Sequence, residues 1–155
     1  MMQRTAVLVK PDGLQRGLVG KIITRFEDKG LKLVGIKMVR MTDEIVDNWY
    51  AHLREKSFFG DIKSFMEWTP IVAMVWEGVE AIPAVRKIVG ITKAREAEAG
   101  SIRGDFGMSG SQNIIHASDS PESAEKEIGL LFNADELFDY KSGMDCLVYG
   151  KEDLQ

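Results

Sequence analysis

The chain is poor in the side chains that cross-link proteins or bind zinc. Among its 155 residues there is a single cysteine, Cys146, and there are only two histidines. One cysteine excludes an intramolecular disulfide and is typical of a reducing compartment, so we expect a cytoplasmic location. So few histidine and cysteine side chains also argue against a zinc site built from nitrogen and sulfur ligands.

A long apolar segment and an excess of positive charge are missing as well. The apolar run near the N-terminus, residues 6–9, stops at Lys10 and Pro11, too soon for a secretory signal or a membrane span. The formal net charge of −4 argues against a dedicated nucleic-acid-binding protein. The length and the hydrophobic content of 45% suffice for a sizeable core, and we expect residues 1–155 to form a single domain.

Apolar patterning and cap residues predict the secondary structure. Strands are predicted over residues 5–9, 31–41, 71–76 and 113–117. Helices are predicted over residues 18–29, 42–53 and 80–89, around Ile62, Phe65 and Met66, after the N-cap Ser120, and at a capping box that begins with Asn133. A tight turn is predicted at residues 10–13, an irregular loop at 91–112 and a polar tail up to Gln155.

The order of these elements, β-α-β-α-α-β-α-β-α, indicates two interleaved split β-α-β units. This pattern predicts an α+β, ferredoxin-like sandwich: one four-stranded antiparallel sheet with helices packed on one face. A doubly wound parallel sheet is the alternative, because helices also separate its strands.

Residues 113–120 carry the main candidate for chemistry. His116 follows a short β-branched run, and Glu127 shares the stripe of the following helix with Ala124, Ile128 and Leu131. A carboxylate on a core-facing stripe needs a partner, and His116 is the candidate. A histidine held by a carboxylate at one nitrogen presents the other as a nucleophilic lone pair. The alternative is a structural histidine, with Glu127 at the rim of its stripe.

The chain has no standard phosphate-binding loop. The glycine-rich residues 12–21 lack the Gly-x4-Gly-Lys spacing, and Ile22 stands where a magnesium-binding hydroxyl is required. Lys10, Arg86, Thr92 and Arg103 could instead form an anion site, although each residue taken alone is more typical of a solvated surface group. Phe58 and Phe59 are either an exposed stacking platform or two core rings.

Several motifs together resemble one family. They are KPDG at residues 10–13, QRGLVG at 15–20, AMVWEG at 73–78, SIRGDF at 101–106, NIIHASDS at 113–120 and SAEKE at 123–127. In these motifs the chain is similar to nucleoside diphosphate kinases from about residue 5 to residue 149. The resemblance implies a ferredoxin-like fold. It also implies transfer of the γ-phosphoryl group of a nucleoside triphosphate to a nucleoside diphosphate, through a phosphohistidine.

The resemblance also implies roles for individual residues. His116 would be the nucleophile and Glu127 the carboxylate on its far nitrogen, with Ser118 hydrogen-bonding near Glu127 and Asp119 in support. Lys10 and Tyr50 would donate to the migrating phosphoryl group, and Lys10 and Asn113 would reach the ribose 3′-hydroxyl. Arg86, Thr92 and Arg103 would clamp the inner phosphates, while Phe58 and Ile62 would enclose the base.

The implied cofactor is Mg²⁺, bound through the nucleotide phosphates with no direct protein ligand. The implied partners are nucleoside tri- and diphosphates such as ATP and GTP, with broad base specificity, and further copies of the chain, in a hexamer rather than a tetramer. We expect no membrane partner. The chain departs from the usual family pattern at several positions. It has Trp49 where the family often has histidine, Lys56 where arginine is common and Ala94 where proline is frequent, and residues 110–112 also differ.

Overall fold

A computed structural model describes residues 1–154 of the chain. Four strands, β1 (Met2–Val9), β2 (Lys32–Val39), β3 (Ile71–Val79) and β4 (Ile115–Ala117), form one sheet in the order β2-β3-β1-β4. Every neighbouring pair is antiparallel. The predicted ferredoxin-like sheet is therefore confirmed, and the parallel alternative is wrong.

Within residues 1–154, eight helices connect and flank the strands. They are α1 (Pro11–Gln15), α2 (Val19–Asp28), α3 (Asp43–Trp49), α4 (Phe59–Glu67), α5 (Ala81–Val89), α6 (Ile102–Phe106), α7 (Pro121–Leu131) and α8 (Asp145–Val148), with short 3-10 helices at Ala51–Leu53, Ala94–Glu96 and Ala134–Glu136. The predicted caps are confirmed: Thr42 and Ser120 accept main-chain hydrogen bonds at 3.4 and 3.1 Å, and Asn133 opens a capping box. No helix within residues 1–154 has the length and apolar character needed to cross a membrane.

The prediction that helices cover one face of the sheet is wrong, because both faces are covered. Val7, Met74 and Trp76 pack against α2 and α5, whereas Leu8, Ala73 and Val75 on the opposite face pack against α3, α4 and α7. The physical reason lies in β3, whose residues 71–76 are all buried. A strand that is apolar on both faces needs a layer on each side.

Three local predictions also need correction. The expected turn at residues 10–13 is the short helix α1, which Pro11 opens at a position that needs no N–H. The loop at residues 91–112 contains a 3-10 turn and α6, whose N-cap Ser101 accepts from the Gly104 amide. The polar tail contains α8. All of these segments are too short for periodicity to be visible.

Candidate active site

A strained turn precedes the candidate nucleophile. The Ile115 amide donates to the Asn113 carbonyl at 2.8 Å, and Ile114 between them has a φ of 76°. This is the geometry of a γ-turn, which is unfavourable for a β-branched residue. The turn shortens β4 by two residues relative to the predicted strand. Backbone strain of this kind concentrates at functional sites, where surrounding contacts must hold it.

Helix α1 supplies those contacts. The Ile114 amide donates to Asp12 Oδ2 at 3.0 Å, and the Ile114 carbonyl accepts from the Lys10 amide at 2.8 Å. A Cβ atom on Gly13 would lie 2.8 Å from the Ile114 carbonyl oxygen, so only glycine allows this approach. The segment that follows β1 therefore clamps the turn that leads to His116.

The predicted pair of His116 and Glu127 is present. His116 Nε2 lies 3.0 Å from Glu127 Oε2, and Ser118 Oγ donates to the same oxygen at 2.6 Å. An ionised carboxylate only accepts hydrogen bonds, so the neutral imidazole carries its proton on Nε2. Nδ1 is left with its lone pair. Ser118 is buried and also contacts the main chain of Ala6 on β1, which anchors the acceptor side of the pair.

Aromatic side chains from the end of α3 line the site. Trp49 is buried, and its ring centroid lies 5.2 Å from that of His116 at an interplanar angle of 74°. Tyr50, the next residue in the chain, is the C-cap of α3. Burial, and then the negative charge of Glu127, raise the pKa of the Tyr50 phenol to about 12. At neutral pH this hydroxyl therefore keeps its proton and can donate.

Lys10 and Asn113 meet beside the strained turn. Lys10 Nζ donates to Asn113 Oδ1 at 2.8 Å, and the Asn113 amide group donates to the carbonyls of Thr92 and Gly110, both at 2.9 Å. Burial, and then the charge of Arg103, lower the pKa of the Lys10 amine to about 8, against the opposing effect of Asp12. The amine is thus still mostly protonated at pH 7.

Arg103 is a buried cation rather than a solvated surface group. It is 4% exposed and donates to the carbonyls of Asn113, Gly90 and Ile115 at 3.2, 3.0 and 2.6 Å. Burial, and then the charge of Arg86, lower its pKa to about 10. Three of its five N–H groups hold the main chain, which leaves two for a ligand.

The other proposed phosphate contacts are less constrained. Arg86 is half-buried on α5 and donates to the Ala117 carbonyl at 3.3 Å. The Thr92 side chain is exposed, although its carbonyl accepts from Asn113. Asp119 is exposed next to the N-cap of α7, and its pKa is lowered chiefly by a hydrogen bond from Ser123. Arg86 contacts the last residue of β4 and Asp119 follows that strand, whereas Thr92 contacts Asn113 just before it.

The residues proposed to enclose the base lie at the start of α4. Phe58 is 47% exposed, so its interpretation as a core ring is wrong. Phe59 and Ile62 are half-buried against the core. Within residues 1–154, no group of three or more histidine, cysteine, aspartate or glutamate side chains is arranged to bind a metal ion.

Sequence patterns missed two supporting residues and one neighbour of the nucleophile. Asp12 and Gly13 were visible only as turn formers, because their contacts with Ile114 join segments about a hundred residues apart. Trp49 stood out as a departure from the family pattern, with no signal that it touches His116.

Comparison with known proteins gives a consistent result. A family model described as nucleoside diphosphate kinase matches residues 3–137. The nucleoside diphosphate kinase of Parabacteroides distasonis is 54% identical over 140 residues, which cover 90% of this chain and 92% of that protein. That of Archaeoglobus fulgidus is 50% identical over 148 residues, covering 96% of this chain and 98% of that protein.

Similar solved structures are also nucleoside diphosphate kinases. A halophilic nucleoside diphosphate kinase from Halobacterium salinarum, in complex with CDP, superposes with a TM-score of 0.94 at 45% identity, covering 97% of this chain and 100% of that one. The Aquifex aeolicus nucleoside diphosphate kinase gives a TM-score of 0.85 at 42% identity, covering 89% of this chain and 100% of that one.

Proposed function

The chain belongs to the nucleoside diphosphate kinase family, and from this premise we propose that His116 carries the phosphoryl group in transit. Members of the family are phosphotransferases that act between nucleoside tri- and diphosphates. The observation that carries the proposal is the 3.0 Å contact between His116 Nε2 and Glu127, which leaves Nδ1 as the free nucleophile. A neutral imidazole is a good nucleophile near pH 7.

The proposed reaction has two matching halves. First, Nδ1 attacks the γ-phosphorus of the donor: an N–P bond forms while the bond to the β,γ-bridging oxygen breaks, and that oxygen leaves on the diphosphate with the electron pair. Nε2 keeps its proton against Glu127, so no proton has to move. A terminal oxygen of the acceptor diphosphate then attacks the phosphorus, and Nδ1 regains its lone pair.

Most of the catalysis is electrostatic in this proposal. A phosphoryl group in flight spreads its charge over three oxygens, and preorganised donors stabilise that charge. Lys10 and Tyr50 would donate to the migrating group. Arg103 would use its two remaining N–H groups on the inner phosphates, together with Arg86 and Thr92. Its bonds to three carbonyls fix it in place before the substrate arrives.

The residues around His116 are compatible with a Mg²⁺ ion that is bound by the nucleotide phosphates and not by the protein. The donors around His116 are cations, amides and hydroxyls, which suit phosphate oxygens rather than a metal. When bound to the nucleotide phosphates, Mg²⁺ would neutralise part of their charge, because this ion favours substrate phosphates and water over protein cages.

We also propose broad base specificity. Phe58 would stack on the base through its exposed ring and Ile62 would close the other face, while Asn113 and Lys10 would reach the ribose. Stacking tolerates every base because each has a π-face. The relative from Halobacterium salinarum was solved with CDP, a pyrimidine nucleotide. The single domain and the cytoplasmic location stay predictions.

The direct test is covalent labelling. After incubation with terminally radiolabelled ATP and Mg²⁺, and removal of the nucleotide, we expect a protein-bound label that is stable to base and labile to acid, as phosphohistidine is. Addition of ADP should remove the label from the protein, and the label should then be found in ATP. Nucleotide binding without any label would indicate a nucleotide-sensing module and would contradict the proposal.

The steady-state kinetics should be ping-pong. One phosphate site, formed by Lys10, Arg86, Thr92 and Arg103, serves both half-reactions, so donor and acceptor cannot be bound there together. Double-reciprocal plots with both nucleotides varied should give parallel lines. Intersecting lines would instead indicate direct transfer in a ternary complex and a second nucleotide site.

We further propose that the chain forms a homo-oligomer, with a hexamer favoured. Strand β2 is an edge of the sheet, and Ile36 and Met38 on it are 46% and 62% exposed. The Phe138 amide donates to the Val34 carbonyl, so the chain itself covers part of this edge. An edge with exposed apolar side chains favours pairing with another chain.

The departure at Ala94 should not prevent assembly. Replacing proline costs about 0.4–1 kcal/mol through the unfolded chain. The Ala94 amide, however, donates to the Ser109 carbonyl at 3.3 Å, a bond that proline cannot make. The loop therefore keeps a local restraint at this point.

Sedimentation at micromolar concentration should show a closed oligomer rather than the 17.3 kDa monomer. Ile36→Lys combined with Met38→Lys should shift the distribution towards smaller species, because charge on an edge strand opposes pairing. Met144→Lys, at an exposed apolar residue of the tail, is the matched control and should sediment as the unmodified protein does. A monomeric unmodified protein would contradict the proposal.

A further inference from the structure

One neighbour of His116 has no part in the proposed phosphoryl transfer. Trp49, the last residue of α3, is only 6% exposed, and its ring meets that of His116 nearly edge to face. A centroid distance of 5.2 Å and an angle of 74° are within the favourable range for aromatic pairs. No other aromatic ring pair within residues 1–154 includes a histidine.

The hydrogen bond to Glu127 does not by itself define where Nδ1 points. It fixes one atom of the imidazole, Nε2, and the nitrogen that carries the proton. The ring can still rock about that contact, because terminal sp³–sp² side-chain torsions are broad. The His116 side chain is also 24% exposed, so its solvent-facing side leaves it room. A second, rigid contact is needed to fix the plane of the ring.

We propose that Trp49 is a positioning residue that holds the plane of the His116 ring and thereby fixes the direction in which Nδ1 points. Glu127 selects the nitrogen, and Trp49 fixes its direction. The inference rests on the proposed role of His116 as nucleophile. Small errors in the orientation of a reacting atom lower rates strongly, so a contact that removes the rocking motion accelerates transfer.

A purely structural role is the competing explanation, since Trp49 also belongs to the core with Leu8, Val46 and Met66. Two substitutions separate the roles. Trp49→Phe and Trp49→Leu both remove the indole and leave space in the core, but only phenylalanine keeps an aromatic ring facing His116. If Trp49 merely fills the core, the two variants should behave alike.

The test is single-turnover phosphorylation by ATP and Mg²⁺, with rate and apparent ATP affinity measured separately. Relative to the unmodified protein, Trp49→Leu should be phosphorylated about tenfold more slowly at saturating ATP, and Trp49→Phe within about threefold, as expected from the strength of aromatic pairs. Apparent ATP affinity should be unchanged in both. Equal rates in the two variants, or a loss that appears in ATP affinity, would overturn the inference.

A second measurement needs no nucleotide. The chain has two histidines, and His52 is exposed, so nitrogen-15 spectra of the imidazole rings are simple to assign. His116 should keep its proton on Nε2 in both Trp49 variants, whereas relaxation of its ring signals should show greater mobility in Trp49→Leu alone. Equal ring mobility in both variants would overturn the inference.

The two proposals fail in different ways. An unmodified protein that takes no label overturns the phosphohistidine mechanism, and this inference with it. An unmodified protein that is labelled, with Trp49→Leu labelled as fast, overturns this inference alone. Trp68→Phe, at an exposed tryptophan on the end of α4, is the control and should leave every readout unchanged.

Discussion

His116→Ala is expected to abolish phosphoryl transfer while leaving the fold and ADP binding intact. Removal of the nucleophile of a covalent mechanism lowers turnover by on the order of a millionfold. The fold should survive because His116 is partly exposed and the buried Ser118 still donates to Glu127 at 2.6 Å. The cations that would bind phosphate keep their own hydrogen bonds, so ADP affinity should change little.

The natural control is His52→Ala, because it removes the only other histidine. His52 is exposed on the 3-10 turn that follows α3. This variant should be labelled and turn over as the unmodified protein does. Turnover, acid-labile labelling and ADP titration on the two variants decide the matter. Substantial turnover in His116→Ala would end the phosphohistidine mechanism for this protein.

Much of the fold could be predicted from the sequence because its signals are local. Thr42, Ser120 and Asn133 cap helices through side chains that reach main-chain groups three residues away. The pair of His116 and Glu127 was also within reach of local reasoning. Helical periodicity placed Glu127 on the buried stripe of α7, and a buried carboxylate requires a partner.

The contacts that the sequence did not predict join distant segments. Asp12 and Ile114 are 102 residues apart, and nothing near either residue indicates the positive φ at Ile114. For Arg103 the sequence left both an anion site and a solvated surface group open, because this residue lies in a loop without periodicity. Its burial depends on three carbonyls from two other segments. Only the packed chain brings these groups together.

The two helical layers of the sandwich were also not predictable from local sequence patterns alone. The apolar run of β3 is typical of a strand that is covered on both faces, and β3 lies in the interior of the sheet. The helices were nevertheless predicted on one face only, because the assignment of α3, α4 and α7 to the second face needs the connections between elements. As a result Trp49, at the end of α3, could not be placed beside His116 from the sequence.

Lys10→Ala is expected to lower kcat/KM by about 10²–10³, or 2.7–4 kcal/mol, the typical effect of removing one preorganised donor. The Lys10 amine donates a hydrogen bond to the Asn113 side chain and is close enough to Arg103 to feel its positive charge. Its loss should affect the rate more than stability. Arg103→Ala should be at least as damaging, but it also deprives three carbonyls of their donor. Lys29→Ala, at an exposed lysine, is the matched control.

The pH profile provides a second signature of Lys10. Its pKa is lowered to about 8, so the amine is charged below that pH and neutral above it. Stabilisation of the phosphoryl group should therefore be present at pH 7 and decline as the pH rises through 8 in the free enzyme. In Lys10→Ala this decline should be absent from kcat/KM. An unchanged alkaline limb in the variant would assign it to another group.

Comparison with Glu127→Ala completes this prediction. Glu127 orients the imidazole and balances the charge on its ring, but it neither attacks the phosphorus nor binds phosphate. Its removal should lower the rate by less than the removal of Lys10, because the histidine can still present Nδ1 among several orientations and Trp49 still contacts the ring. Steady-state rates at saturating Mg²⁺ rank the variants. If Glu127→Ala is as inactive as His116→Ala, Glu127 has a more direct role than orientation. An unimpaired variant would show that the 3.0 Å contact contributes nothing to catalysis.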